Sequence, residues 1–289
     1  MKNFSLAFRT TVLLPLFLLL FWGPLNAQTA QEEQIPGYTV VKNIPYYETA
    51  KLADPYMREM CNLDMYYPIN GKSFATIVWF HGGGLEAGEK AFPKELLEKK
   101  FAVITVSYRL SPKALCPAYL EDAAAALSWT FRNIAGYGGD TAKIFVSGHS
   151  AGGYLALMIG LDKHWLGAYG IDANRIAGLI PFSGQTMTHY TIRKERNLPQ
   201  ARPVIDEFAP VYHVRADAPP LLLITGGREI ELLGRYEENA YLARLMKLAG
   251  HKKTTLYELE GLDHGGMERP ACLLLLKFIN GIIGARLTN

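Results

Sequence analysis

FVSGHSAGG, residues 145–153, is the stretch on which the reading of this chain turns. An apolar run ends at Gly148, Ser150 follows, and Ala151 opens AGGYLALMIGL, rich in the Ala, Leu and Met that favour helix. The spacing Gly148, Ser150, Gly152 is weak evidence alone, because a chain of this length meets it by chance about one time in ten at average Gly and Ser usage. Its context is stronger. A strand that reverses into a helix within a few residues has no room for side chains at the two flanking positions, so the glycines let the segments pass while the serine projects. Ser150 is therefore a candidate nucleophile, with the positive end of a helix aimed at it.

The surrounding runs supply the rest of the fold. ATIVWFH (residues 75–81), FAVITVSY (101–108), KIFVSG (143–148), IAGLIPFSG (176–184), PLLLITGG (220–227) and TTLYELEG (254–261) read as strands, the most apolar of them buried on both faces. Less apolar stretches near residues 38–41 and 62–67 are expected at sheet edges, after a polar segment that runs to about Ile35. Between the runs, Leu120, Leu127, Phe131 and Ile134 share one helical face, as do Leu242, Leu245, Met246 and Ala249. Alternating strands and amphipathic helices predict an α/β fold, a mainly parallel central sheet of about eight strands with helices on both faces. Residues 28–289 are expected to form one domain. The poorly patterned residues 185–216 are expected to act as a lid or to border the site.

Bulk properties exclude several function classes. With 289 residues, 49% hydrophobic and 20% charged, the chain can bury a large core. A formal charge of +3 lacks the basic excess of a nucleic-acid binder, and none is expected as a partner. Lys2 and Arg9 precede an apolar run over residues 12–22, then Gly23, Pro24 and Ala27. This is the pattern of a secretory leader cleaved after Ala27, short for a membrane span, and it predicts a periplasmic or secreted protein. Removing residues 1–27 takes away two positive charges and no acid, leaving +1. Cys61, Cys116 and Cys272 are widely spaced without a CxxC pair, which leaves zinc-ribbon and thioredoxin chemistry unsupported and fits buried thiols, although export permits one disulfide. No metal or cofactor is expected.

A serine hydroxyl needs a base within hydrogen-bond reach and an acid to orient that base. Of seven histidines, His264 stands out, in GLDHGGM directly after the last expected strand, where a loop can reach over the sheet. His149 sits beside Ser150, and the elbow is expected to direct its side chain elsewhere. The acid belongs at the end of PLLLITGG, where GGREIELLG offers Glu229 and Glu231; Glu229 is preferred as the nearer to the strand end. Asp263 is a weaker rival, since adjacent side chains rarely converge. HGGGL, residues 81–85, follows another strand end, and its uncovered amides can bind a developing oxyanion together with the amide of Ala151.

These residues resemble the α/β-hydrolase fold, and within it the esterases and lipases similar to hormone-sensitive lipase, as well as secreted carbohydrate esterases that remove acetyl or feruloyl groups. The resemblance rests on His81-Gly82-Gly83-Gly84, on Gly148 to Gly152, on SYRLSP (107–112) and on DHGGM around His264, and it spans about residues 60–284. It implies Ser150 as nucleophile, His264 as base, Glu229 as acid at the final position of the family's GDxD pattern, and Gly83, Gly84 and Ala151 as oxyanion donors. The chain has Gly226-Gly227-Arg228-Glu229 in place of that pattern, which makes the acid the least secure position. The implied activity is cleavage of carboxylic esters through an acyl-enzyme, on small or carbohydrate-attached substrates. Amide cleavage by an exopeptidase or formamidase, and a non-catalytic binding protein on the same fold, are the alternatives. Acyl and alcohol specificity and oligomeric state are open at this level.

Overall fold

A computed structural model of the chain describes Met1 and residues 31–49, 52 and 54–287. The expected leader, Met1 apart, lies outside the described residues. The strands are β1 (Gln31–Ile35), β2 (Tyr38–Pro45), β3 (Asn62–Pro68), β4 (Phe74–Phe80), β5 (Ala102–Val106), β6 (Gly139–His149), β7 (Gly178–Phe182), β8 (Leu221–Gly226) and β9 (Thr254–Leu259). They form one sheet in the order β1-β2-β3-β5-β4-β6-β7-β8-β9. Pairing is antiparallel from β1 through β5 and parallel from β5 through β9. The helices are α1 (Pro55–Met60), α2 (Ala118–Asn133), α3 (Ala151–Leu161), α4 (Lys163–Gly167), α5 (Tyr190–Glu195), α6 (Arg235–Leu248) and α7 (Glu268–Leu287). Among the described residues no helix is long and apolar enough to cross a membrane.

Period-two alternation within unbroken apolar strands feeds two cores. Val78 and Phe80 of β4 and Leu221 and Leu223 of β8 face one core, which includes α2, α3 and Leu242 and Met246 of α6. Ile77 and Trp79, with Leu222 and Ile224, face the other, where Cys272, Leu275 and Ile279 of α7 cover the sheet. Leu120, Leu127, Phe131 and Ile134 are all buried on the expected face. Cys61, Cys116 and Cys272 are free thiols, the first and last buried.

Among the described residues the sheet has nine strands where the sequence predicts about eight, and its edge differs. β2 and β3, expected at edges, are interior, because β1 pairs with β2 from Gln31 opposite Lys42 to Ile35 opposite Tyr38. QEEQI exposes nearly every side chain, so it carries no alternation to betray a strand; backbone hydrogen bonding alone puts it there.

Candidate active site

Four loops at the carboxyl ends of β4, β6, β8 and β9 meet, as expected for an open α/β sheet. The first residue past β6 is Ser150, at φ 56° and ψ −116°, before α3 begins at Ala151. A non-glycine residue there is strained by about 1–3 kcal/mol and persists only where its surroundings hold it. Here the Ser150 amide donates to the Phe182 carbonyl at 2.8 Å. The glycines are required by close approach: a Cβ on Gly152 would lie 1.9 Å from the Phe80 carbonyl oxygen, and one on Gly148 would lie 2.6 Å from it.

The glycine loop after β4 lies against this elbow. A Cβ built on Gly82 would stand 3.5 Å from that of Ser150 and 3.2 Å from the His149 carbonyl oxygen. Gly83 and Gly84 have φ of 109° and 65°, and among the described residues their amides find no backbone acceptor. The Gly83 carbonyl instead accepts from the amides of Glu86 and Ala87, turning the loop back. His81 is buried, stacks on Tyr108 with ring centroids 4.3 Å apart, and donates from Nδ1 to the Gly82 carbonyl at 2.7 Å. Burial lowers its proton affinity, so it supports the loop as a neutral ring. Thr191 of α5 donates from Oγ1 to the Gly84 carbonyl at 2.5 Å, and the Tyr190 hydroxyl occupies the space a Gly84 side chain would need.

His264 donates from Nδ1 to Oε1 of Glu231 at 2.6 Å. The carboxylate beside His264 is thus Glu231 rather than Glu229, which corrects the expectation for the acid position. Beyond β8 the chain turns helically, with the Glu231 amide bonded to the Gly227 carbonyl at 2.8 Å. At about 100° per residue, position 231 returns over the strand end while position 229 faces away, and Glu229 is exposed. The rival Asp263 accepts from the Gly266 amide at 2.7 Å and holds its own turn. Glu231 is 1% exposed at its side chain. It also accepts from Ser183 Oγ, from the Gly226 amide at 3.0 Å and from the Leu232 amide at 2.8 Å. Burial by itself raises the carboxyl, but these donors, His264 first, outweigh it and hold it at about 2, so it stays ionised.

Several supporting contacts escape a reading of the sequence. Ser183, just past β7 at φ 45°, orients Glu231, and buried Arg235 holds Ser183 in turn through its carbonyl. Arg235 pairs with Glu238 at 3.6 Å, and Glu238 accepts from the Thr186 and Met187 amides at 2.8 and 3.0 Å. His149 does not point away from the site: its ring centroid is 4.6 Å from that of His264. A cavity of about 310 Å³ opens beside Gly82, Gly83 and His149, walled by Trp79, Phe92, Glu89 and Glu268. Among the described residues no His, Cys, Asp and Glu side chains cluster as a metal site.

A family model described as BD-FAE matches residues 63–231, more than half of the chain, a span holding the glycine loop, the elbow and Glu231. Among curated relatives, the chain is similar to the probable carboxylic ester hydrolase LipM of Mycobacterium tuberculosis, 28% identical over 50% of this chain and 39% of LipM. It is similar to esterase LipC of the same organism, 25% identical over 65% of this chain and 50% of LipC. The chain thus spans half the length of these relatives or less. Its fold is that of a truncated carbohydrate esterase from gut microbiota (TM-score 0.69, 21% identity, 87% of this chain and 99% of that one). Esterase B from Lactobacillus rhamnosis is as similar (TM-score 0.69, 19% identity, 88% and 90%). The fold is the α/β-hydrolase fold.

Proposed function

We propose that this chain, which belongs to the BD-FAE family, is a serine-dependent carboxylic ester hydrolase that works through an acyl-enzyme. The observation that carries the reading is the 2.6 Å bond between His264 and buried Glu231, at the same sheet end as the strained elbow of Ser150. With Nδ1–H committed to Glu231, the basic nitrogen of His264 is Nε2, the one a neighbouring serine can use. Ser150 Oγ attacks the ester carbonyl and Nε2 takes its proton; the amides of Gly83, Gly84 and Ala151 receive the oxyanion. His264 then protonates the departing alcohol. Water, activated by the same histidine, releases the acid and restores Ser150. Ionised Glu231 stabilises the imidazolium formed in both steps.

The alcohol side of the substrate is read as carbohydrate, carrying acetyl or feruloyl groups. Similarity to a carbohydrate esterase supports this, as does the cavity beside the glycine loop, where Glu89 and Glu268 can accept sugar hydroxyls. Residues 185–216 serve as a wall of the site, and residues 1–27 as an export leader. Turnover of short p-nitrophenyl esters by the purified protein and by Ser150→Ala tests the chemistry: turnover is expected to vanish in the variant, and equal rates would remove Ser150 from the mechanism. A panel of acetylated and feruloylated sugars beside aminoacyl anilides tests the substrate class.

A further inference from the structure

His149 lies in the glycine-flanked elbow, yet the reaction just described gives it no task. Its Nε2 is 2.7 Å from the backbone carbonyl of His264. The carbonyl can only accept, so Nε2 carries the hydrogen, and Nδ1, 3.7 Å from Glu268 Oε2, is left bare. This bond joins loops that the sheet keeps apart, since β7 and β8 lie between β6 and β9. The loop of His264 is otherwise tied to its own turn and to the segment just past β8, through His264 Nδ1 to Glu231 at 2.6 Å and the Gly227 amide to the Leu262 carbonyl at 2.8 Å. On the other side, His149 is continuous with Ser150, whose amide is fixed to Phe182.

We propose that His149 is a positioning residue: by donating from Nε2 to the His264 carbonyl, it fixes the base-bearing loop against the nucleophile elbow and so sets the approach of His264 to Ser150. The proposal rests on the serine-hydrolase reading above. The groups that face this ring are consistent with a donor that stays neutral. They are His264 itself, Glu268 from α7, and the charges of Arg235 and Glu231 from beyond β8, while His81 and Glu89 line the cavity His149 shares. Burial, then the nearby His264, hold its proton affinity down to about 4. With His149 neutral, no second cation stands against the His264 ring, whose centroid is 4.6 Å away.

The test compares His149→Ala and His149→Gln in the full chain, on a p-nitrophenyl ester whose turnover Ser150→Ala abolishes, with Tm measured for each. Misplacing a catalytic group by a fraction of an ångström to an ångström costs up to about 100-fold. His149→Ala is accordingly expected to lose about 10- to 100-fold in kcat with KM within about threefold. His149→Gln, whose amide can donate to the same carbonyl, is expected to regain most of that loss. Proton NMR follows the clamp without turnover: the downfield Nδ1 proton between His264 and Glu231 should broaden in His149→Ala and return in His149→Gln. Unchanged kcat and an unchanged proton signal in folded His149→Ala would overturn the proposal, as would equal loss in folded Ala and Gln variants. Turnover by Ser150→Ala would instead sink the serine reading, and the NMR arm would still decide the clamp.

Discussion

The elbow between β6 and α3 and the turn between β8 and α6 each present one side chain of the proposed catalytic set, and they do so by opposite means. In the elbow the constraint is local: glycines at 148 and 152 are demanded by the Phe80 carbonyl against which they pass, and the serine between them has one place to go. In the acid turn two glutamates stand two residues apart in similar sequence surroundings, and partners from two other segments, together with the end of the turn's own strand, choose between them. Ser183 after β7, His264 after β9 and the amide of Gly226 all converge on Glu231, while Glu229 is left in solvent. Backbone sterics are legible one residue at a time, and hydrogen-bond convergence is not.

The contrast can be broken first at the elbow. Gly152→Ala puts a carbon 1.9 Å from a backbone oxygen that cannot rotate away, and we expect loss of more than about 3 kcal/mol or no folded protein. Gly136→Ala, with open space around the added carbon, should change stability by less than about 1 kcal/mol. Urea denaturation of the two variants measures both.

In the acid turn, Glu231→Gln should lower kcat about 10³-fold or more with little change in KM, because an amide can neither fix the tautomer of His264 nor balance its charge. Glu229→Gln should stay within about twofold of the wild type. Steady-state kinetics on one ester separates them, and a large loss from Glu229→Gln would return the acid to the position the sequence favoured.

A smaller effect sharpens the same comparison through pH. The folded state holds His149 at about 4, below the value of about 6.5 it takes in an unfolded chain. The folded pKa is depressed, so the stability tied to neutral His149 is present above about 6.5 and is lost as pH falls toward about 4, where the unfolded chain has already taken up the proton. Between pH 7 and pH 4 the wild type should lose about 1–3 kcal/mol more stability than His149→Gln. Smallest is Ser183→Ala, which removes one of the four donors to Glu231 and should reduce kcat about tenfold while leaving KM in place. Retention of full kcat would mean that the remaining three donors hold Glu231 without it.

Much of the fold was legible because the central strands are apolar on both faces and the covering helices keep their periodicity, as Ile77, Val78, Leu120 and Phe131 do. β1 was not, because QEEQI has no buried face and only its ladder to β2 makes it a strand. Among the site residues, Ser150 and His264 lie where motif and strand order put them, and Gly83 and Gly84 line the loop expected of them. Ser183, Arg235 and the inward turn of His149 left no mark in the sequence, since each acts through a contact with a segment distant in the chain.

By itself, then, the sequence determined the elbow, the glycine loop and the doubly buried sheet, features set by sterics and by apolar periodicity within a few residues. The tertiary structure decided which glutamate holds His264 and which way His149 faces. Those choices belong to hydrogen-bond donors and acceptors that are more than thirty residues apart along the chain and meet only once the strands are in register.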